Sequence, residues 1–348
     1  MDILKKKCLV TGATGFLGTN LVHELVKTNQ WEVRASGMHG SETKYIRDLP
    51  IEIAFADITK PEEVDKIVKG CEVVFHVAGD TTNWNRLVKR QRKINIDGTM
   101  NIAKACHYHG VKRLIHTSTM DVLGHSPEKM PFGEDGGTAR FTNMNYQYGE
   151  SKTEGERQLR AFCDEKEMDY VVVYPGFMMG PFDFTFQLGR LFFDLKNNKM
   201  PGYITGGSSF CHVAEVAKAH ITAALKGKQG DGYLLAGSRQ TILTHKEVWE
   251  KMGDAVQAKR MKATLPRWLM IMYGYYAEFI ANFTKKYPDI NPGLARYMTC
   301  YQYCVSDKAI QELDYKVPQL SQCIQDALEW YQKNGFIDEH FHLQVAKA

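Results

Sequence analysis

The chain lacks several features that would point directly to a partner or a compartment. Its 348 residues carry 44 basic and 40 acidic side chains, and this net charge of +4 is too balanced to indicate a nucleic-acid partner. The eight cysteines have no paired spacing, so we expect a reducing compartment. The chain enters an apolar strand within a few residues, and we therefore expect no signal or transit segment and a cytoplasmic location. No internal repeat or low-complexity segment is visible.

Two short clusters carry little functional information. The densest basic stretch, residues 89–93 (KRQRK), is typical of the solvated face of a helix, and we predict no nucleic-acid binding from it. Cys106, His107 and His109 lie close together where a helix is expected to end at Gly110. Because no second ligand cluster has metal spacing, we predict no metal site.

The first informative motif is TGATGFLG at residues 11–18, which follows a short apolar strand and begins an amphipathic helix. Gly12 permits a tight turn, Gly15 removes the side chain that would block a pyrophosphate, and Gly18 allows the helix to pack closely on its strand. The spacing departs from G-x-G-x-x-G because two residues separate the first two glycines. The motif predicts a dinucleotide site at a helix N-terminus, and a plain glycine turn is the alternative.

Strand-like apolar runs alternate with helical patterns through the first half of the chain. This βαβ rhythm predicts an α/β fold, a Rossmann-type doubly wound parallel sheet. After Pro181 the alternation weakens into aromatic-rich segments and helices, and we interpret this part as a smaller, mostly C-terminal lobe that binds the substrate. We predict a core of residues 1–180, which 210–240 rejoins, and a smaller lobe of 181–209 and 241–340. The predicted strands are residues 8–10, 32–35, 51–55, 73–77, 113–117, 170–174 and 233–236.

Acid–base chemistry is indicated by Tyr148 and Lys152, which are four residues apart in YGESK and share one face of a predicted helix. A neighbouring ammonium favours the phenolate and lowers the pKa of a tyrosine, which would make proton transfer to a carbonyl oxygen feasible. Taken alone, the two residues could equally be a surface pair. Thr117, Ser118 and Thr119 close a strand at the ligand-binding edge, where a hydroxyl could hold a substrate oxygen or simply form a turn.

Together these residues and several further segments resemble the extended short-chain dehydrogenase/reductases over nearly the whole chain. The hydroxyl cluster in TSTMDVLG and the DTTNW segment are most similar to dihydroflavonol 4-reductase-like and 3β-hydroxysteroid dehydrogenase-like members. The resemblance implies a catalytic triad of Thr119, Tyr148 and Lys152, with Ser118 as the alternative hydroxyl. The further matching segments are Asp57 after the third strand, HVAG (76–79), INIDGT with Asn95, YPGFMMGP (174–181), FCHVAEVAKAH (210–220) and YLLAG (233–237).

The resemblance also implies a nicotinamide cofactor and the residues that bind it. No carboxylate stands between Glu32 and Glu42 to select NAD, and Met38 occupies the position where related reductases often carry an arginine for the NADP phosphate. NADP is therefore favoured over NAD by a small margin, with Ser36, His39, Ser41 or Lys44 as substitutes for the arginine. The implied cofactor-binding residues are Gly12, Thr14, Gly15, Phe16, Leu17, Gly18, Asp57, Ile58, Ala78, Gly79, Asn95, Lys152 and Pro175.

Departures from the family pattern indicate the reaction. Met120 replaces the first residue of the acidic pair typical of dehydratases, and the asparagine and arginine typical of nucleotide-sugar enzymes are missing. We therefore expect an oxidoreductase acting on CH–OH groups, which transfers hydride between nicotinamide and the carbonyl or alcohol carbon of an apolar, cyclic or aromatic ketone or aldehyde. A sugar-nucleotide epimerase or dehydratase and a non-catalytic NAD(P)-binding scaffold or sensor are the alternatives. In place of the missing polar residues stand Phe177, Met178, Met179, Phe182, Phe184 and Phe186.

The most apolar window is residues 265–283 (LPRWLMIMYGYYAEFIANF). Pro266, Arg267, Gly274 and Glu278 interrupt it, so it does not read as a membrane span. A helix that covers the substrate pocket is the simpler interpretation, and contact with a membrane interface is the alternative, because the aromatic and methionine content suits it. The oligomeric state stays open, and a homodimer is one option.

Overall fold

The computed structural model describes residues 5–141 and 144–344. Its centre is a seven-stranded parallel sheet with the strand order β10-β6-β5-β4-β1-β2-β3. The doubly wound parallel sheet predicted from the sequence is thereby confirmed. The strands of this sheet are β1 (Lys6–Thr11), β2 (Trp31–Gly37), β3 (Glu52–Phe55), β4 (Val73–His76), β5 (Arg113–Thr117), β6 (Tyr170–Pro175) and β10 (Gly232–Leu235).

The inner strands are apolar because helices cover both faces of the sheet. Every residue of β4 and of β6 is buried. The strand order reverses between β1 and β4, where Thr11 lies opposite His76 in the parallel register. In open α/β sheets a ligand binds at the carboxyl ends of the strands beside such a reversal.

The helices pack in two layers around the sheet. One face is covered by α1 (Phe16–Thr28), α7 (Val213–Lys226) and α11 (Asp307–Leu313), and the other by α2 (Pro61–Val68), α4 (Thr99–Tyr108) and α5 (Gln147–Glu165). The short helix α3 (Val88–Arg92) runs through a π-helical turn, Lys93–Gly98, into α4. Short 3₁₀ turns occupy Asn85–Leu87 and Met120–Leu123.

The smaller lobe has its own core beside the carboxyl ends of the large sheet. Strands β7 (Phe177–Met179), β9 (Gly207–His212), β11 (Ile242–Thr244) and β13 (Tyr301–Gln302) form a second sheet, and β8 (Tyr203–Ile204) pairs with β12 (Thr264–Leu265). The limits drawn between the two parts from the sequence stay predictions. The helices of the lobe are α6 (Arg190–Lys196), α8 (His245–Ala255), α9 (Arg267–Thr284), α10 (Pro292–Met298) and α12 (Leu320–Lys333).

Most of the apolar window of residues 265–283 is helical, as expected. Leu265 ends strand β12, and residues 267–283 belong to helix α9. None of the helices in the described part of the chain is long and apolar enough to cross a membrane.

Candidate active site

A cavity of about 590 Å³ lies at the carboxyl ends of the central strands. One end is bounded by the glycine loop and by the residues that follow β2 and β3, and the other by residues of β7 and α10. Of the predicted catalytic and cofactor-binding residues, all but Asn95 line this cavity.

The glycine loop is held by contacts that side chains would disrupt. Gly12 has a positive φ of 66°, and a Cβ there would lie 2.8 Å from the backbone of Ala78. A Cβ on Gly18 would lie 2.0 Å from the Gly12 carbonyl oxygen. Gly15 is the N-cap residue of α1, and a Cβ there would lie 3.3 Å from the same oxygen. The free N–H groups of a helix N-terminus attract phosphate, so the loop fits a pyrophosphate.

The opposite wall is built by the residues after β3 and β4. Asp57 lines the cavity, and its Oδ1 accepts hydrogen bonds from the backbone N–H and the hydroxyl of Thr59, at 2.9 and 2.8 Å. Ile58 lies beside it and packs against Gly98. Ala78, whose backbone lies against Gly12, and Gly79 also line the cavity. These surfaces fit the adenine and ribose of a dinucleotide.

Asn95 was expected among the cofactor-binding residues, but it does not line the cavity. Its side chain is buried beneath the cavity wall, where Oδ1 accepts from the Asp80 N–H at 2.8 Å and Nδ2 donates to the Asp80 carbonyl at 2.9 Å. Nδ2 also donates to the Ser151 hydroxyl at 2.9 Å. Asn95 therefore ties the loop after β4 to the first turn of α5 and acts on the site only through these elements.

The residues proposed to select NADP divide into two groups. Ser36, Met38 and Ser41 line the cavity. His39 is turned away and lies 3.0 Å from Glu63, and the Lys44 ammonium lies 5.3 Å from the centre of the Tyr45 ring. His39 and Lys44 are thus engaged elsewhere, and the expectation that they compensate a phosphate loses its support.

Tyr148 and Lys152 lie in the first turns of α5 and both line the cavity. The Lys152 Nζ donates to the Thr117 carbonyl at 2.9 Å, and burial lowers its pKa to about 8, although Glu156 opposes that shift. We expected Lys152 to lower the pKa of Tyr148. Instead, burial and the nearby Asp121 raise the pKa of Tyr148, because the phenol is enclosed by protein. The raised pKa keeps the Tyr148 hydroxyl protonated at neutral pH.

The two candidate hydroxyls have different partners. The Ser118 hydroxyl donates to Glu156 Oε2 at 2.6 Å. The Thr119 hydroxyl lies close enough to Tyr148 to oppose the rise in its pKa through a hydrogen bond. Thr119 is therefore better placed than Ser118 to share a ligand oxygen with Tyr148.

The sequence motifs did not identify Asp121, a buried carboxylate beside Tyr148, as part of the site. Asp121 accepts hydrogen bonds from the hydroxyls of Tyr146 (2.9 Å) and Tyr297 (2.7 Å) and from the Gln302 amide (3.2 Å). The Tyr146 ring stacks on Tyr297 at 4.1 Å and meets Tyr148 edge-on at 6.1 Å. This cluster holds Tyr148 in place. No local sequence motif predicts the cluster, because Tyr297 and Gln302 come from α10 and β13.

The far end of the cavity is mostly apolar. Its walls include Phe177, Met178, Leu188, Leu294 and Met298. Among the lining residues in the described part of the chain, Lys152 is the one cation. The other residues expected at the pocket pack into the core of the smaller lobe instead, and they are Met179, Phe182, Phe184 and Phe186.

Comparison with known proteins agrees with this geometry. Residues 8–236 match the model of the NAD dependent epimerase/dehydratase family. The chain is 26% identical over 344 residues to a putative dihydroflavonol 4-reductase of Synechocystis sp., with 94% of this chain and 95% of that protein covered. It is 25% identical over 333 residues to sterol demethylase protein B of Methylococcus capsulatus, with 94% and 99% covered.

Among solved structures, the crystal structure of gox2253 superposes with a TM-score of 0.81 at 25% identity, covering 95% of this chain and 99% of that one. The glycine loop, the cavity residues after β3 and β4, and the tyrosine and lysine on α5 all lie within the matched residues 8–236, whereas the cavity residues of α10 lie beyond them. The chain therefore belongs to the NAD dependent epimerase/dehydratase family.

Proposed function

We propose that the protein is an NAD(P)-dependent oxidoreductase that transfers hydride to or from an apolar ketone, aldehyde or alcohol. The observation that carries this proposal is the composition of the cavity beyond Tyr148. Phe177, Met178 and Leu294 line that end, and Lys152 is the one cation among its described lining residues. A sugar nucleotide brings a diphosphate that needs cationic partners, whereas an apolar ring gains by leaving water for such walls.

The residues that would hold the dinucleotide are supplied by the carboxyl ends of β1, β3, β4 and β6. Gly12, Gly15 and the start of α1 would bind the pyrophosphate, and Asp57 with Ile58 would contact the adenosine. Pro175 and Lys152 would border the nicotinamide ribose. A bound nicotinamide supplies or accepts the hydride.

The chain's own groups then handle the proton. Tyr148 donates a proton to the carbonyl oxygen as hydride reaches the carbon, and it removes that proton in the reverse direction. The Thr119 hydroxyl orients the same oxygen. The Lys152 ammonium, one helical turn along α5, donates to the Thr117 carbonyl and would bind the nicotinamide ribose.

The residues around Tyr148 are less suited to elimination from sugar nucleotides or to their epimerisation. Met120 stands beside the reacting tyrosine where a dehydratase would need an acid, and the neighbouring Asp121 is held by two tyrosine hydroxyls. A scaffold without turnover would have no need of both Tyr148 and Lys152. Ketone reduction is favoured over epimerisation by the apolar end of the cavity, where Lys152 is the one cation among the described lining residues.

The test is a substrate screen under NADH and NADPH. We expect oxidation of the reduced cofactor with apolar cyclic or aromatic ketones or aldehydes, and no measurable epimerisation of UDP-sugars. Leu294→Arg should lower kcat/KM for the best ketone at least tenfold by placing a charge in the apolar end. Epimerisation at a rate comparable with ketone reduction would overturn the proposal.

A further inference from the structure

Helix α9 presents large apolar side chains to the solvent. Successive residues of an α-helix are separated by 100°, and these side chains fill one continuous arc. The members of this outward face are Trp268, Leu269, Met272, Tyr273, Tyr275, Tyr276, Phe279, Ile280 and Phe283, with exposures from 38% for Leu269 to 73% for Phe283. Charged side chains are absent from this arc.

The inward side of α9 is also mostly apolar, but its side chains are small or packed on the protein. Its two buried residues, Gly274 and Ala281, are small, and a Cβ on Gly274 would lie 2.8 Å from the Asn291 backbone at the start of α10. Met270 packs against the core of the smaller lobe, and Glu278, the one acid of the helix, accepts a hydrogen bond from Asn85. The large apolar side chains of the outward arc are thus left uncovered by the described chain, and a continuous apolar face of this size marks an interaction site.

Basic residues stand at both ends of the outward face. Lys285 and Lys286 follow the last residue of the helix and are exposed. Lys259 and Lys262 precede the helix and are also exposed. These cations suit a negatively charged partner.

A second copy of this chain fits the face poorly. In a two-fold dimer with antiparallel helices, Lys259 and Lys262 of one copy would approach Lys285 and Lys286 of the other, and with parallel helices each cation would approach its own copy. Like charges disfavour both arrangements. An anionic lipid surface has the complementary charge and an apolar layer beneath it, and tryptophan and tyrosine favour that boundary.

We propose that α9 is a membrane-docking helix that lies in the interface of an anionic lipid bilayer, with its outward face among the acyl chains and Lys285 and Lys286 at the headgroups. The helix packs on α10, which supplies Leu294, Tyr297 and Met298 to the cavity. The lipid surface therefore lies one helix away from the apolar end of the site. This proposal holds independently of the reaction.

The test is sedimentation of the full chain with vesicles of phosphatidylcholine mixed with phosphatidylserine, and with vesicles of phosphatidylcholine alone. We expect binding to the anionic vesicles that weakens with salt. The double variant Met272→Glu/Phe279→Glu should lower the partition coefficient at least tenfold, because it places two charges in the acyl region. Lys285→Glu/Lys286→Glu should lower binding to the anionic vesicles and leave any binding to the pure phosphatidylcholine vesicles unchanged.

The chain offers matched controls. Met130 and Tyr108 are exposed apolar residues outside α9, at 63% and 79%, compared with 60% for Met272 and 59% for Phe279. Met130→Glu/Tyr108→Glu should leave vesicle binding unchanged, as should Lys316→Glu/Lys333→Glu. Ketone reduction in buffer should be unaffected by Met272→Glu/Phe279→Glu, which separates this proposal from the proposed function.

Two results would overturn the docking proposal. The first is a wild-type protein that stays in the supernatant with both vesicle types. The second is a wild-type protein that sediments as a dimer, does not bind vesicles, and becomes a monomer in the Met272→Glu/Phe279→Glu variant. Sedimentation velocity would detect this, and the result would assign the face to a second copy of the chain.

Discussion

The buried ammonium of Lys152 makes a prediction about stability that is separate from catalysis. Lys152 is 4% exposed, and its pKa falls from the ordinary 10.5 to about 8 inside the protein. Keeping the buried Lys152 ammonium charged therefore lowers the free energy of unfolding by about 3 kcal/mol at neutral pH. Lys152→Met removes the cost but leaves the Thr117 carbonyl without its partner, which costs about 1–2 kcal/mol. We expect the variant to be about 1–2 kcal/mol more stable than the wild type at pH 7, and inactive.

The lowered pKa of Lys152 also predicts how the stability of the fold changes with pH. Between about pH 8 and 10.5 the unfolded chain holds the Lys152 proton more often than the folded chain does, so this group makes the folded state more stable as pH rises. By pH 10 the penalty has fallen by about 2 kcal/mol. The advantage of Lys152→Met over the wild type should shrink by that amount.

Urea unfolding at pH 7 and pH 10 measures both quantities, with Lys316→Met as the control for removing an exposed lysine. Taking the difference between wild type and variant cancels the other groups that titrate in this range. A Lys152→Met protein that is less stable than the wild type at pH 7, by an amount independent of pH, would refute the reasoning.

Three further changes test other parts of the site. Met38→Arg should raise NADPH affinity about tenfold by adding a guanidinium at the cavity, while NADH affinity stays constant, and equal gains in fluorescence titrations with the two cofactors would contradict this. Asp121→Asn removes the charge that raises the pKa of Tyr148, so the alkaline limb of the pH–rate profile should move to lower pH, and an unmoved limb would count against the assignment. Gly12→Ala should destabilise the fold by about 2 kcal/mol through strain at positive φ and the contact with Ala78, and an unchanged melting temperature would show that the loop relaxes.

The parts of the molecule that follow from local pattern were predictable from the sequence. The strand at residues 113–117 has the expected limits, and the helix that carries Tyr148 ends at Glu165, because apolar periodicity determines both. The glycine loop was equally accessible, since its function depends on backbone geometry that only glycine supplies.

The features that tertiary packing creates were not predictable in the same way. Asp121 meets Tyr297 across a sequence distance of 176 residues, and the direction of the Tyr148 pKa shift depends on that enclosure. Phe182 stacks on His23 and lies in the lobe core, although an aromatic run near the pocket segment suggested a substrate wall. Composition does not say on which side of a short segment a side chain lies.

The most direct test of the central claim is single-turnover hydride transfer by Tyr148→Phe with the best carbonyl substrate of the screen. The account predicts a loss of at least about a hundredfold in rate, with cofactor affinity in fluorescence titration nearly unchanged, because the change removes the proton donor and no phosphate contact. A Tyr148→Phe enzyme that transfers hydride at a near-normal rate would contradict it.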